Sequence, residues 1–289
     1  MTLKNIWCRF FLVACPVIAI GVSSCQKMSR PALGDYPKDV PVTPATELRF
    51  YVPFDSTKTD DKQINIRFKD SISQYPSFFP DKSITYTGGV HGTAVKLSAG
   101  NALKYISAND FAATAQSYTL ALWVKSPGVP HSNPQFVMSL VDKDYWHNSG
   151  MFLLFDHDGA GSTPDSASVS FVVKDNWYVF HNKDRIPHIY DQAWHHLAFV
   201  YDQTKLTTYV DGHALTGLSN DATGVMSGPL NLTPASVTNM VIGGWNKHVA
   251  IAGPTDSWID SYPGLIDQFR LYNKALSAAD ILALYNSKM

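Results

Sequence analysis

The chain has 289 residues, 45% of them hydrophobic and only 16% charged, with 23 Lys and Arg against 24 Asp and Glu and a formal net charge of −1. So much apolar material excludes an intrinsically disordered chain, and a charge balance this even excludes the clustered basic excess that nucleic-acid binding needs. The length allows one large all-β domain or two small domains.

The first segment predicts export. Lys4 and Arg9 give a positive start, and Phe10–Val22 is an apolar run too short to span a bilayer, which suits the core of a signal peptide over residues 1–24. The run ends in Val22-Ser23-Ser24-Cys25, which resembles the lipobox of bacterial lipoproteins. That resemblance implies cleavage before Cys25 and lipidation of its sulfur, anchoring the chain to the outer membrane on its periplasmic or cell-surface side. All three cysteines (Cys8, Cys15 and Cys25) lie in or beside this segment. The mature chain therefore has no pairing partner for Cys25 and no disulfide framework, so its stability must come from its core. Residues 25–47 carry Pro31, Pro37, Pro41 and Pro44, a density that predicts an extended tether.

From Leu48 onward the pattern becomes that of short strands separated by turn residues. Leu48–Val52, Ala94–Leu97, Tyr118–Val124, Gln135–Val141 and Met151–Phe155 are predicted strands. Ser168–Val173, Trp194–Tyr201, Lys205–Val210, Asn239–Ile242 and Gly264–Tyr272 follow in the same style. Strands without intervening helical periods predict an antiparallel sandwich. Ser277 and Asp280 have the spacing of a capping box, which starts a short helix whose Ile281, Leu282 and Tyr285 share one stripe.

Several of these segments together resemble the laminin-G-like jelly roll in its concanavalin A-like form. The resemblance rests on Phe54-Asp55, Gly92–Leu97, Tyr118–Val124, Trp194–Asp202, Tyr209–Gly212, Ile242–Gly244 and Gly264–Tyr272, in that order across residues 48–289. It implies an all-β fold of two antiparallel sheets packed as a jelly-roll sandwich. Members of the family bind sugars, proteins or calcium, and some relatives are glycosidases; fold alone does not choose among these.

The residues narrow the choice. Glucanases of this fold use paired glutamates, whereas this chain has the single glutamate Glu47, at the tether boundary. No pair of aspartates alternates within a predicted strand, and Asp156-His157-Asp158 runs straight into Gly159 and Gly161. The chain is therefore expected not to be an enzyme. Adjacent residues on a strand face opposite ways, so His195 and His196 cannot chelate one ion; His196 is expected to point into the core and His195 outward. By resemblance, a structural calcium ion is expected at Asp55 and Asp267. The open alternative is that Asp267 pairs with Arg270 or accepts from backbone amides. Among the tryptophans, Trp123 and Trp194 fall in core strand motifs, which leaves Trp146, Trp177, Trp245 and Trp258 in apparent loops or strand ends. With Tyr178, Asn246, His248 and Tyr262 beside them, they are the candidate surface for stacking on sugar rings. The expected function is a lipid-anchored module that captures a polysaccharide or other glycan without cleaving it. A protein-binding module of the same fold, or a glycoside hydrolase, are the alternatives.

Overall fold

The computed structural model describes residues 44–55, 68–78, 83–128, 132–156 and 162–288. The predicted signal segment, Cys25 and most of the predicted tether lie outside these, as do His157 to Gly161. Among the described residues no helix is long and apolar enough to cross a membrane.

Among the described residues seventeen strands form in chain order: β1 (Leu48–Val52), β2 (Thr85–Gly88), β3 (Thr93–Lys96), β4 (Leu103–Tyr105), β5 (Tyr118–Lys125) and β6 (Gln135–Asp142) come first. Next are β7 (Ser149–Phe155), β8 (Ser166–Ala167), β9 (Val169–Val173), β10 (Asn176–Phe180), β11 (Ile186–Pro187) and β12 (His195–Tyr201). The last are β13 (Leu206–Val210), β14 (His213–Ala214), β15 (Val237–Ile242), β16 (Asp260–Ser261) and β17 (Leu265–Tyr272). Two one-turn helices, α1 (Phe111–Thr114) and α2 (Asn220–Thr223), interrupt them, and α3 (Ala278–Ser287) closes the chain.

The strands build two large sheets. One has the order β14-β13-β12-β5-β17-β3-β2, with β1 also paired to β17; the other has β10-β9-β7-β6-β15-β4, with β16 added parallel to β6. Alternate residues of the central strands fill the space between them. Leu120, Leu122 and Val124 of β5 and Leu197 and Phe199 of β12 meet Met138 and Leu140 of β6, Met151 and Leu153 of β7, and Phe171 of β9 in one continuous core. This is the all-β sandwich that the strand pattern predicts, and each predicted strand falls within three residues of an observed one. β2, β4 and β10, with the two-residue strands β8, β11, β14 and β16, are additions that the pattern did not mark.

The outer faces are apolar as well, and both need cover. On the larger sheet α3 supplies it. Ser277 caps the helix reciprocally with Asp280, and Ile281 is driven onto Ala121, Ala198, Val200 and Tyr209. Tyr285 stacks on Trp123 at 5.5 Å between ring centres, and His196 lies 5.3 Å from the same indole.

Candidate functional site

On the smaller sheet the outward-facing residues are Phe136 of β6, Phe152 and Leu154 of β7 and Val172 of β9, all buried. Loops cover them, and the cover is aromatic. Trp245 lies parallel to Phe136, with ring centres 5.3 Å apart and planes 5° apart. Trp146, from the turn between β6 and β7, sits 5.3 Å from Phe152. Trp177 projects from β10 against Phe152 at 5.5 Å and meets Trp146 edge to face at 5.1 Å, with the planes 77° apart. Trp258 lies 6.2 Å from Trp146, tilted by 55°, and is 46% exposed.

Two tied loops hold the rings. Trp146 opens a 3-10 turn whose His147 and Asn148 have φ of 50° and 54°, and its backbone N–H donates to Asp175 Oδ1 at 3.0 Å. Trp245 opens a second 3-10 turn, Asn246–Val249, where its N–H donates to His248 Nδ1 at 3.2 Å. Burial pushes the His248 imidazole down to about 3, so the ring is neutral at pH 7 and able to accept that bond. The segment leading to Trp258 is pinned at several points. Asn148 Nδ2 donates to Ala252 O at 3.3 Å, Asn246 Nδ2 to Pro254 O at 3.1 Å, and Lys247 Nζ to Asp256 O. Both amide side chains crowd Gly253 (φ 152°), so a Cβ there would collide with them. His147 Nε2 lies 2.8 Å from Asp256 Oδ2, and burial of the ring lowers its proton affinity despite that neighbour. Beneath the exposed rings, Trp245 Nε1 and Asn246 Oδ1, both on fully buried side chains, have no partner among the described residues.

The structure thus divides the predicted site. Trp146, Trp177 and Trp258 converge and keep ring surface toward solvent. Trp245, Asn246 and His248 belong to the same cluster but are buried supports, not contact residues. Tyr178 and Tyr262 are not part of it. Tyr178 alternates with Trp177 on β10 and so faces the core between the sheets, and Tyr262 is buried 5.5 Å from Phe155. The sequence did not mark Phe136, Phe152, Asp175 or Asp256. The unbroken apolar run Met151–Phe155 of β7, buried on both faces, is the signal for Phe152.

Asp55 and Asp267 do come together at the turn joining β2 to β3. Asp267 Oδ2 accepts from Val90 N at 2.9 Å, and its Oδ1 accepts from Gln268 N at 2.8 Å. Asp55 Oδ1 accepts from Thr93 N at 2.9 Å, and its Oδ2 lies 3.0 Å from His91 Nδ1. Cβ atoms on Gly89 or Gly92 would strike these carboxylates. Burial pushes the Asp267 carboxyl up to about 7, against the amides that favour its charge. Calcium takes six to eight oxygens. Here each carboxylate accepts from backbone N–H groups, as in the amide-accepting alternative.

The two histidines of β12 are the reverse of the expectation. His195 lies on the side of Leu197 and Phe199, at the rim, with Nδ1 2.8 Å from Asp211 Oδ2 and Nε2 3.0 Å from Asp191 Oδ1. Only the doubly protonated ring donates to both, and the Asp211 bond raises its pKa in spite of burial. His196 lies on the outer face beneath Tyr285, and burial lowers it to about 4.

The family model for the concanavalin A-like lectin/glucanases superfamily matches residues 100–282. No curated protein matches the chain. Among solved structures, domain 4 of AbnA, a GH43 extracellular arabinanase from Geobacillus stearothermophilus solved with arabinotriose, is similar at 17% identity and TM-score 0.52, over 82% of this chain and 98% of that domain. Trypanosoma rangeli sialidase is similar at 14% identity and TM-score 0.51, over 85% of this chain but only 33% of its own. The binding domain of botulinum neurotoxin serotype D/C is similar at 11% identity and TM-score 0.54, over 84% of this chain and 52% of its own. At these identities the likeness is one of fold.

Proposed function

The chain belongs to the concanavalin A-like lectin/glucanases superfamily, and on that footing we propose that it is a glycan-binding module without hydrolytic activity, whose contact surface is Trp146, Trp177 and Trp258. One observation carries the reading. Three indoles from three separate segments meet on one sheet face, and each keeps part of its ring toward solvent, where apolar surface gains most from a stacked sugar. Against catalysis stands the acid inventory. The single glutamate, Glu47, is exposed at the start of β1 beside Lys274, 3.4 Å away. Asp175 holds the Trp146 amide and Asp256 faces His147, so neither is placed as a free acid–base pair.

Affinity electrophoresis of the intact protein through gels containing soluble polysaccharides tests both halves. At least one glycan is expected to retard the wild type, and the double variant Trp146→Ala, Trp177→Ala is expected to migrate as if no glycan were present. Release of reducing ends from the retarding glycan would end the non-catalytic half, and unchanged retardation of the double variant would end the site.

The anchor is part of the same proposal and is supported by Val22-Ser23-Ser24-Cys25 alone. Cys25→Ala is expected to abolish incorporation of labelled palmitate in a bacterial host; undiminished labelling would rule out this cysteine. For Asp55 and Asp267 we propose a latch that fixes the β2–β3 turn by accepting its amides. Replacing chelator with millimolar calcium is then expected to leave the thermal midpoint unchanged, and a rise of several degrees would restore the metal.

A further inference from the structure

Resting on the glycan-binding reading, we propose that the tryptophan surface takes a single, twisted, uncharged polysaccharide chain, and rejects both crystalline polysaccharide faces and polyanionic glycans. The ring angles come first. A crystalline face presents its sugars in one plane, so it needs coplanar rings to stack on. Here Trp177 stands 77° and Trp258 55° from the plane of Trp146. Rings so inclined match successive sugars only if the chain rotates between one residue and the next, which a free strand does and a crystal lattice forbids. Trp146 and Trp177 are also in direct edge-to-face contact, so no sugar enters between them. The chain must lie across their open faces.

Charge comes second. The carboxylates of Asp175 and Asp256 are placed directly against the aromatic cluster, one on the Trp146 amide and the other on His147. Of the neighbouring cations, Lys174 Nζ is drawn to Leu230 O at 2.9 Å, whereas Lys247 Nζ donates to Asp256 O and lies 5.6 Å from the centre of the Trp245 ring. A uronate or sulfated chain would meet two carboxylates at short range, only partly offset by the one ammonium of Lys247, and like-charge approach is a strong means of exclusion.

The test uses the intact protein and three kinds of probe. These are soluble neutral chains (mixed-linkage β-glucan, xylan, arabinan and galactomannan), polygalacturonic acid, and microcrystalline cellulose. At least one neutral chain is expected to bind at least tenfold more tightly than polygalacturonic acid at low salt. Cellulose is expected to remove no protein from solution. Trp258→Ala, at an exposed position where folding is not at stake, is expected to weaken the neutral-chain binding severalfold. Asp256→Asn is expected to narrow the gap to polygalacturonic acid. Binding to cellulose, or binding of the polyuronate as tight as that of any neutral chain, overturns the inference and leaves the glycan reading standing. Failure of all probes to bind overturns both.

Discussion

Each sheet turns a tryptophan-bearing face away from the shared core, and the two faces are finished differently. On the larger sheet Trp123 is closed over by a helix of the same chain, with Tyr285 stacked on it and Ile281 fully buried alongside. On the smaller sheet Trp177 stands against Phe152, but its cover consists of loop indoles that leave aromatic surface outside. An apolar outer face must be covered by something, because uncovered apolar area of that size is a liability for an isolated domain. A helix can cover it completely. Loops pinned by Asn148, Asn246 and Lys247 cover it incompletely, at fixed points, and that is what a stacking site requires.

The sharpest way to break this contrast is to truncate one side chain on each face. Ile281→Ala removes a fully buried side chain from under α3 and is expected to cost about 2–5 kcal/mol of stability in a denaturant titration. Glycan binding is expected to survive it under native conditions. Trp177→Ala, from a partly exposed ring, is expected to cost about 1–2 kcal/mol and to lose binding at least tenfold. Should Trp177→Ala destabilise as much as Ile281→Ala while binding persists, the two faces would be alike and the tryptophan cluster merely a second core.

The same contrast explains what was legible in the sequence. Strands such as β5 and β12 announce themselves by long apolar runs, and the capping residues Ser277 and Asp280 mark the start of α3. The face each strand turns to the core was harder to read. With α3 covering the outer side, both faces of β12 are apolar, and alternation says only that His195 and His196 point oppositely. Hence their assignments came out inverted. β10 was hidden for a different reason. It pairs back on β9 through Lys174 and Asp175, which adopt φ of 51° and 58°, and a turn of that kind is normally signalled by Asn-Gly or Asp-Gly. Missing that hairpin placed Trp177 in a loop and left Tyr178 as a site residue, although the two alternate across a strand. The convergence of Trp146, Trp177 and Trp258 depends on contacts across 112 positions of chain, which no local pattern records.

A smaller and more selective probe of the two faces is acid. His196, held near 4 by burial under Tyr285 and then by the positive charge of Arg270, binds its proton far less readily when folded than its unfolded value of 6.5. Its folded pKa is depressed, so the unfolded chain takes up more protons below pH 6.5. Its share of stability is complete above 6.5, declines as pH falls toward 4, and is then exhausted. A shift of that size corresponds to about 3 kcal/mol at most. His248, on the tryptophan side and held near 3, adds a slope of the same sign that runs on to lower pH. His195 cannot mimic either. Its folded pKa is raised, so its contribution is full below 6.5 and is lost only as pH rises through the folded value. Asp191 and Asp211 resist protonation because their bonds to His195 and nearby amides outweigh burial, so their contributions fade only below the ordinary carboxylate range. Denaturation midpoints at pH 7, 5.5 and 4 should therefore fall steadily for the wild type; His196→Gln and His248→Gln should each flatten that fall by a similar amount down to pH 4, and only the effect of His248→Gln should go on growing below it. If His196→Gln leaves the whole curve unchanged, water reaches that ring, α3 does not seal the larger sheet, and the difference drawn between the two faces disappears.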